Sequence, residues 1–322
     1  MCAQSEQGMH NFLIGQLDLS DPDSVDIDAA ANEFLNATSE CGFVYIKFAS
    51  QYANTIENLR RAQRAFFAES VSVKSRIAID HNNRGYLAEG LAQMHGATRT
   101  DQKEVFFWGR EADANDPDVL AGLPLCGSNQ WPDIADFQQA IVEYSALVQS
   151  IGEKLLQIIA RALGAPQSFF EPYYQRCMLR GQLLCYPPTD NHSQQFGVAP
   201  HSDFGCITLL FQETAGLEVF LLNGGGSNSE WVAVPPVENT LVINIGDLLE
   251  RWSNNRMPST KHRVRNRSTN KRYSIAMFYD PAPDAVVDPL ELLPRETAKY
   301  QPVKAAEYIL GRNKGAFEHH KS

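Results

Sequence analysis

The stretch Ala199-Pro200-His201-Ser202-Asp203-Phe204-Gly205 (APHSDFG) leads into Ile207-Thr208-Leu209-Leu210-Phe211, and the junction between them decides how the chain is read. The second segment carries β-branched and large side chains over the length of a strand, so the stretch is expected to enter one. Successive strand side chains point to opposite faces, which would send His201 and Asp203 to the same side. An imidazole and a carboxylate sharing a face are two of the three donors that a metal site needs.

Outward from this point the texture is that of short strands. After Pro172 the runs CMLRGQLLCY, CITLLFQE, GLEVFLL, EWVAVP, TLVINIG and RYSIAMFYD are separated by Gly, Asn and Pro, which suggests a sandwich or barrel of the jelly-roll kind. The loop NGGGSNSE (223–230) follows one strand and precedes another instead of opening a helix, so it is expected to be a hairpin tip and not a phosphate loop.

The first half reads as helix-rich. Ala29 to Glu40 looks helical and stops at Gly42, FVYIKF follows as a strand, and Ile56, Leu59, Ala62, Phe66 and Phe67 fall at helical spacing. The longest periodic segment runs from a cap at Asp133 through Phe137, Ile141, Tyr144, Val148, Ile151, Leu155 and Ile159 to Gly164. A coiled coil would share this stripe, but a single copy of this length favours a scaffold helix packed on a sheet. The expected fold is mainly β with α: a double-stranded β-helix (jelly-roll) core over 173–322, with a helix-rich region over 1–172 packed on it as one integrated unit.

Composition narrows the partners. The chain has 322 residues, 43% of them hydrophobic, enough for a large core, and a formal charge of -10 that leaves no broad basic surface for nucleic acid. Its six cysteines are scattered with no CxxC pair, the first twenty residues lack a basic leader, and no stretch approaches a membrane span. A cytoplasmic protein with free thiols, a small-molecule substrate and no membrane partner is expected; its oligomeric state is unknown from sequence.

The third metal donor must come from the other histidines. His319 and His320 lie at the chain end, His10 in a polar leader, and His81, His95 and His192 in polar loop-like stretches where a solvated histidine is the ordinary case. His262, in STKHRVRN ahead of RYSIAMFYD, is in the same β-rich half as His201. Two histidines and a carboxylate leave three metal positions open, the arrangement of non-haem Fe(II) oxygenases, although zinc takes the same ligand types.

HSDFG (201–205), IGDLLERWSNNRMPSTKHRV (245–264) and RYSIAMFYDP (272–281) resemble, in order and spacing, the isopenicillin N synthase-like family of iron(II) and 2-oxoglutarate dependent dioxygenases. CGFVYI, RGYLAEG, DQKEVFFWG, NQWPD and CYPP extend the likeness over nearly the whole chain. The resemblance implies that His201, Asp203 and His262 hold Fe(II). Arg272 and Ser274, two apart on an expected strand and so on one face, would grip the distal carboxylate of 2-oxoglutarate, with Tyr186 of CYPP adding a hydrogen bond. It further implies that O2 and 2-oxoglutarate are consumed, that succinate and CO2 are released, and that a small metabolite is hydroxylated, desaturated or cyclised.

An oxidase of the same fold that needs no 2-oxoglutarate is the alternative, while a non-catalytic binding protein would show a broken triad or a missing carboxylate anchor. Leu184 departs from the family pattern, where many plant members carry asparagine. Asp247 is expected to support the approach to His262 without being a ligand, and Cys185 and Cys206 to be core residues. Arg84, Tyr86, Phe107 and Phe196 lie in segments resembling pocket-lining parts of the family, each with an equally ready reading as a packed or surface residue.

Overall fold

A computed structural model of the chain describes residues 14–92, 99–189, 195–222 and 229–313. The strands in chain order are β1 (Gln16–Leu19), β2 (Phe43–Phe48), β3 (Gly85–Leu87), β4 (Glu104–Gly109), β5 (Met178–Tyr186), β6 (Val198–His201), β7 (Ile207–Gln212), β8 (Leu217–Leu222), β9 (Ser229–Val234), β10 (Thr240–Ile245), β11 (His262–Val264) and β12 (Arg272–Asp280). Eight form a major sheet, ordered β1-β2-β10-β7-β12-β5-β4-β3, and four form a minor sheet, ordered β6-β11-β8-β9. Every pairing in them is antiparallel except β1 with β2.

The major sheet is buried on both faces, which is why its strands read as near-continuous apolar runs. Val44, Ile46, Leu241, Ile243, Ile275 and Met277 pack on one side with the helices. Phe43, Tyr45, Val242, Leu184 and Ala276 face the other way, against Val198, Val219, Val234 and Val264 of the minor sheet. The two sheets therefore close a jelly-roll interior, and alternate residues of β5 and β12 project into it. The major sheet takes strands from both halves of the chain: β2 pairs with β10, and β4 with β5.

Three long helices cover the outer face: α1 (Ile27–Thr38), α2 (Ala53–Ala68) and α3 (Phe137–Ala162). The stripe read for α3 is buried from Phe137 to Ile159, and α3 packs on α1 and α2. Its start differs from the expected cap at Asp133: Asp136 occupies the N-cap in a left-handed conformation, and its side chain makes no capping hydrogen bond. The chain leaves α1 through Gly42 at φ 65°, where a Cβ would stand 2.1 Å from the Pro258 carbonyl oxygen. Residues 223–228, most of the expected hairpin tip, lie outside the described residues, and the flanking β8 and β9 pair antiparallel. Among the described residues no helix is long and apolar enough to cross a membrane.

His201 and Asp203 do not share one strand. β6 ends at His201 in the minor sheet and β7 begins at Ile207 in the major one, so residues 202–206 form the crossing between sheets. A hydrogen-bonded seam with the start of α4 (Asp247–Trp252) fixes that crossing: the amides of Gly246, Asp247 and Leu248 donate to the carbonyls of Cys206 (2.8 Å), Asp203 (2.7 Å) and Gly205 (2.9 Å).

A Cβ on Gly246 would lie 2.2 Å from the Gly205 carbonyl oxygen, a backbone atom that no rotamer change relieves. Gly246→Ala is expected to cost about 3 kcal/mol, at the upper end of overpacking penalties, and to loosen the crossing that carries Asp203. Denaturant unfolding measures this, and an unchanged midpoint would refute the seam's importance.

Candidate metal centre

β6 and β11 pair so that His262 stands directly opposite His201, with ring centroids 4.3 Å apart. Asp203 reaches the same point from the crossing: its Oδ1 lies 3.6 Å from His201 Nε2 and 3.7 Å from His262 Nε2. Donor atoms from the three residues all lie within 4.8 Å of one another, close enough to hold one ion. The expected face of a single strand is thus replaced by a strand end, a crossing and a neighbouring strand.

Hydrogen bonds orient each donor. His201 Nδ1 meets the Ala199 carbonyl oxygen at 2.9 Å and His262 Nδ1 meets that of Thr260 at 3.1 Å, each two residues back along its own chain. A proton on each Nδ1 satisfies these carbonyls and leaves both Nε2 lone pairs facing Asp203. Asp203 Oδ2 accepts from Thr208 Oγ1 (2.6 Å) and Asn244 Nδ2 (2.7 Å), which leaves Oδ1 as the inward oxygen.

Burial pushes His262 down to about 4, and the nearby His201 adds to that shift, so the ring is neutral and ready to ligate at physiological pH. Burial would raise the Asp203 carboxyl, but the two histidines and the Thr208 hydroxyl outweigh it and hold the group well below the usual carboxylate range. Two neutral nitrogens and one anionic oxygen suit a borderline divalent cation.

Arg272, Ser274 and Tyr186 meet on the interior face of the major sheet. In the β5–β12 pairing Arg272 is opposite Tyr186 and Ser274 opposite Leu184. The guanidinium is 4.9 Å from the Tyr186 ring centroid, its Nη1 reaches Ser274 Oγ at 3.4 Å, and Ser274 Oγ lies 3.5 Å from Tyr186 Oη. Arg272 is 1% exposed, yet its other partners are neutral: the Thr214 and Ala215 carbonyls (3.3 and 3.2 Å) and Gln212 Oε1 (3.0 Å). Among the described residues no carboxylate lies within ion-pairing distance of it. A buried guanidinium without an anion is costly, and the cost falls away when a carboxylate arrives.

A cavity joins these parts; His201, Asp203, His262 and Tyr186 line it, with Phe107, Phe204, Leu210 and Phe278 as apolar walls. Of the residues weighed from sequence, Arg84 and Phe107 also line it. Tyr86 instead donates from Oη to Glu104 Oε2 at 2.6 Å, and Phe196 lies under the guanidiniums of Arg263 and Arg265. Leu184 is a buried part of the wall.

Asp247 heads α4 and its Oδ1 accepts from Ser259 Oγ (2.8 Å), three residues before His262, so it supports the approach without joining the metal cluster. Cys185 and Cys206 are buried, and burial pushes the Cys185 thiol up to about 11. His81 is exposed; His10, His95, His192, His319 and His320 lie outside the described residues.

Lys103, Arg180 and Gln182, also on the cavity wall, were not singled out in the sequence. The parity of MLRGQLLCY would have found two of them, because Arg180 and Gln182 stand at even spacing from Tyr186 on one strand.

Residues 174–281 match the family described as the 2OG-Fe(II) oxygenase superfamily, and residues 14–134 match the non-haem dioxygenase in morphine synthesis N-terminal region. The 2-oxoglutarate-Fe(II) type oxidoreductase hxnY of Emericella nidulans is 34% identical over 273 residues, covering 80% of this chain and 76% of that protein. A homoarginine-6-hydroxylase of Oryza sativa is 30% identical, covering 92% of this chain and 93% of the relative. Among solved structures, a putative 2OG-Fe(II) oxygenase family protein from Caulobacter crescentus superposes with a TM-score of 0.81 at 29% identity, over 94% of this chain and 98% of that one. A full-length Neurospora crassa protein crystallised in complex with alpha-KG gives 0.78 at 25% identity, over 92% and 94%.

Proposed function

The chain belongs to the 2OG-Fe(II) oxygenase superfamily, and we propose that within this chemistry His201, Asp203 and His262 hold Fe(II) while Arg272, Ser274 and Tyr186 hold the distal carboxylate of 2-oxoglutarate. Its activity is the Fe(II)- and 2-oxoglutarate-dependent oxidation of a small molecule by O2, with succinate and CO2 as co-products. Iron and co-substrate, when bound, supply the oxidising power that side chains lack.

The chain's own contribution is orientation. The Ala199 and Thr260 carbonyls fix the ring planes, Thr208 and Asn244 turn Asp203 so that one oxygen faces inward, and three protein donors leave room for other ligands. Arg272 presents Nη1 toward Ser274 and Tyr186, where a carboxylate would receive charge-assisted bonds from a guanidinium already fixed by Gln212 and two carbonyls. Phe107, Phe204 and Phe278 set an apolar wall beside the three donors.

The observation that carries this reading is the buried Arg272 without an anionic partner, which also favours it over the oxidase that dispenses with 2-oxoglutarate. The test is an anaerobic titration of the Fe(II) protein with 2-oxoglutarate, followed by visible absorption. A saturable charge-transfer band is expected, whereas iron-loaded protein without one would point to the alternative oxidase. We also read the enzyme as cytoplasmic, since its scattered cysteines suit a reducing compartment.

A further inference from the structure

The end of the cavity remote from Arg272 has a charge balance of its own. Of the three cations on the cavity wall two are neutralised: Lys103, level with Tyr186, lies 3.1 Å from Asp101, and Arg180, at the remote end, lies 2.5 Å from Asp280. The third, Arg84, is 2% exposed and donates only to the carbonyls of Asn82, Asn83 and Leu125. No carboxylate among the described residues pairs with it. Burial lowers Arg84 to about 10, which still leaves a cation at neutral pH, close enough to Arg180 for the two to repel. At the other end, the charges of Fe(II), Asp203, the 2-oxoglutarate dianion and Arg272 cancel. The Asp80 and Glu111 carboxylates act on Arg84 without pairing with it, so the remote end of the cavity still favours an anion.

Arg180 is placed to meet it. Asp280 takes one terminal nitrogen, and its second oxygen accepts the Cys206 amide at 2.7 Å. That bond is the guanidinium's only hydrogen bond among the described residues, and Nε is buried without a partner. Phe278, opposite Arg180 in the β5–β12 pairing, stacks against the guanidinium at 5.1 Å. Gln182, two residues along the same face, also lines the cavity, and its amide makes no hydrogen bond among the described residues.

We propose that the primary substrate is a small monocarboxylate with an aromatic or apolar body, its carboxylate seated on Arg180 and Gln182 and its body against Phe278 and Phe107. This rests on the Fe(II)/2-oxoglutarate reading of the same cavity. A planar guanidinium with donors to spare takes a carboxylate in preference to a neutral amide of the same shape, and the unpaired charge of Arg84 reinforces that preference.

The test uses benzoate and benzamide, matched in shape and different in charge, as probes titrated calorimetrically into anaerobic enzyme saturated with Fe(II) and 2-oxoglutarate. Benzoate is expected to bind at least about tenfold more tightly, the yield of one charge-assisted bond. Arg180→Gln removes that advantage. Because this variant strands Asp280, Arg180→Lys is measured beside it: it keeps the ion pair, lacks the second nitrogen, and is expected to lower the preference about tenfold.

The 2-oxoglutarate band should be unchanged in both variants. Equal affinity for the two probes, binding of neither, or a preference that survives both substitutions overturns the proposal. Loss of the band in the unsubstituted enzyme would instead overturn the underlying reading.

Discussion

Asp203→Ala is expected to abolish stoichiometric Fe(II) binding and turnover while the protein stays folded. The carboxylate is the only charge among the three donors, and its Oδ1 is the one inward oxygen, within 3.7 Å of both Nε2 atoms. Loss of a residue that merely orients a metal ligand weakens metal binding roughly 10- to 100-fold, so removing the anionic ligand itself should exceed that range. The fold survives because the crossing is anchored through backbone groups: Asp247 N donates to the Asp203 carbonyl, which alanine retains.

Some stability is lost, since Thr208 Oγ1 and Asn244 Nδ2 lose their buried acceptor at about 1–3 kcal/mol each, offset in part by the removal of a buried charge. Asp203→Asn keeps the volume and separates shape from charge. Iron content after dialysis, with near-ultraviolet circular dichroism as the check on folding, decides the matter. A variant that retained stoichiometric iron and turnover would remove Asp203 from the centre.

The His201, Asp203 and His262 cluster could be singled out in sequence because its residue types and spacing are chemical, whereas the route of the three to one point could not. HSD looks like alternation along one strand, but the chain changes sheets between His201 and Ile207, and the turn is made by backbone contacts with Gly246 and Asp247, far along the chain. Local pattern contains no term for such a seam. The sheet's composition was hidden for a related reason: FVYIKF reads as one strand near helices, and only pairing with β10 and β1 makes it interior to the major sheet.

The α3 stripe, by contrast, was readable from Phe137 to Ile159 because one helix face is set by local periodicity alone. Its start was not, since Asp133 and Asp136 both resemble caps and the choice rests on how residues 132–137 turn. Arg180 and Gln182 were visible in the parity of β5 but had no meaning until Asp280 and Arg84 were known to flank them.

Arg272→Ala should weaken 2-oxoglutarate roughly 10- to 150-fold, the equivalent of losing one charge-assisted contact of about 1.5–3 kcal/mol. The guanidinium is pre-positioned by Gln212 and by the Thr214 and Ala215 carbonyls, so a carboxylate gains its bonds without ordering a long side chain. Iron binding should be untouched, since Arg272 shares no hydrogen bond with His201, Asp203 or His262.

In the protein without co-substrate two effects oppose: alanine strands Gln212 Oε1 and the two carbonyls but removes a buried cation that has no anion beside it. The ligand-free melting point therefore shifts less than a core truncation would suggest. The gain on adding 2-oxoglutarate is the clean readout: at about a hundred times the unsubstituted Kd it should stabilise the parent by about 2.7 kcal/mol and the variant by far less. Arg272→Lys keeps the charge but not the planar fork, and falls between the two. Equal stabilisation of parent and variant would move the co-substrate's carboxylate away from Arg272 and leave that buried charge without a purpose.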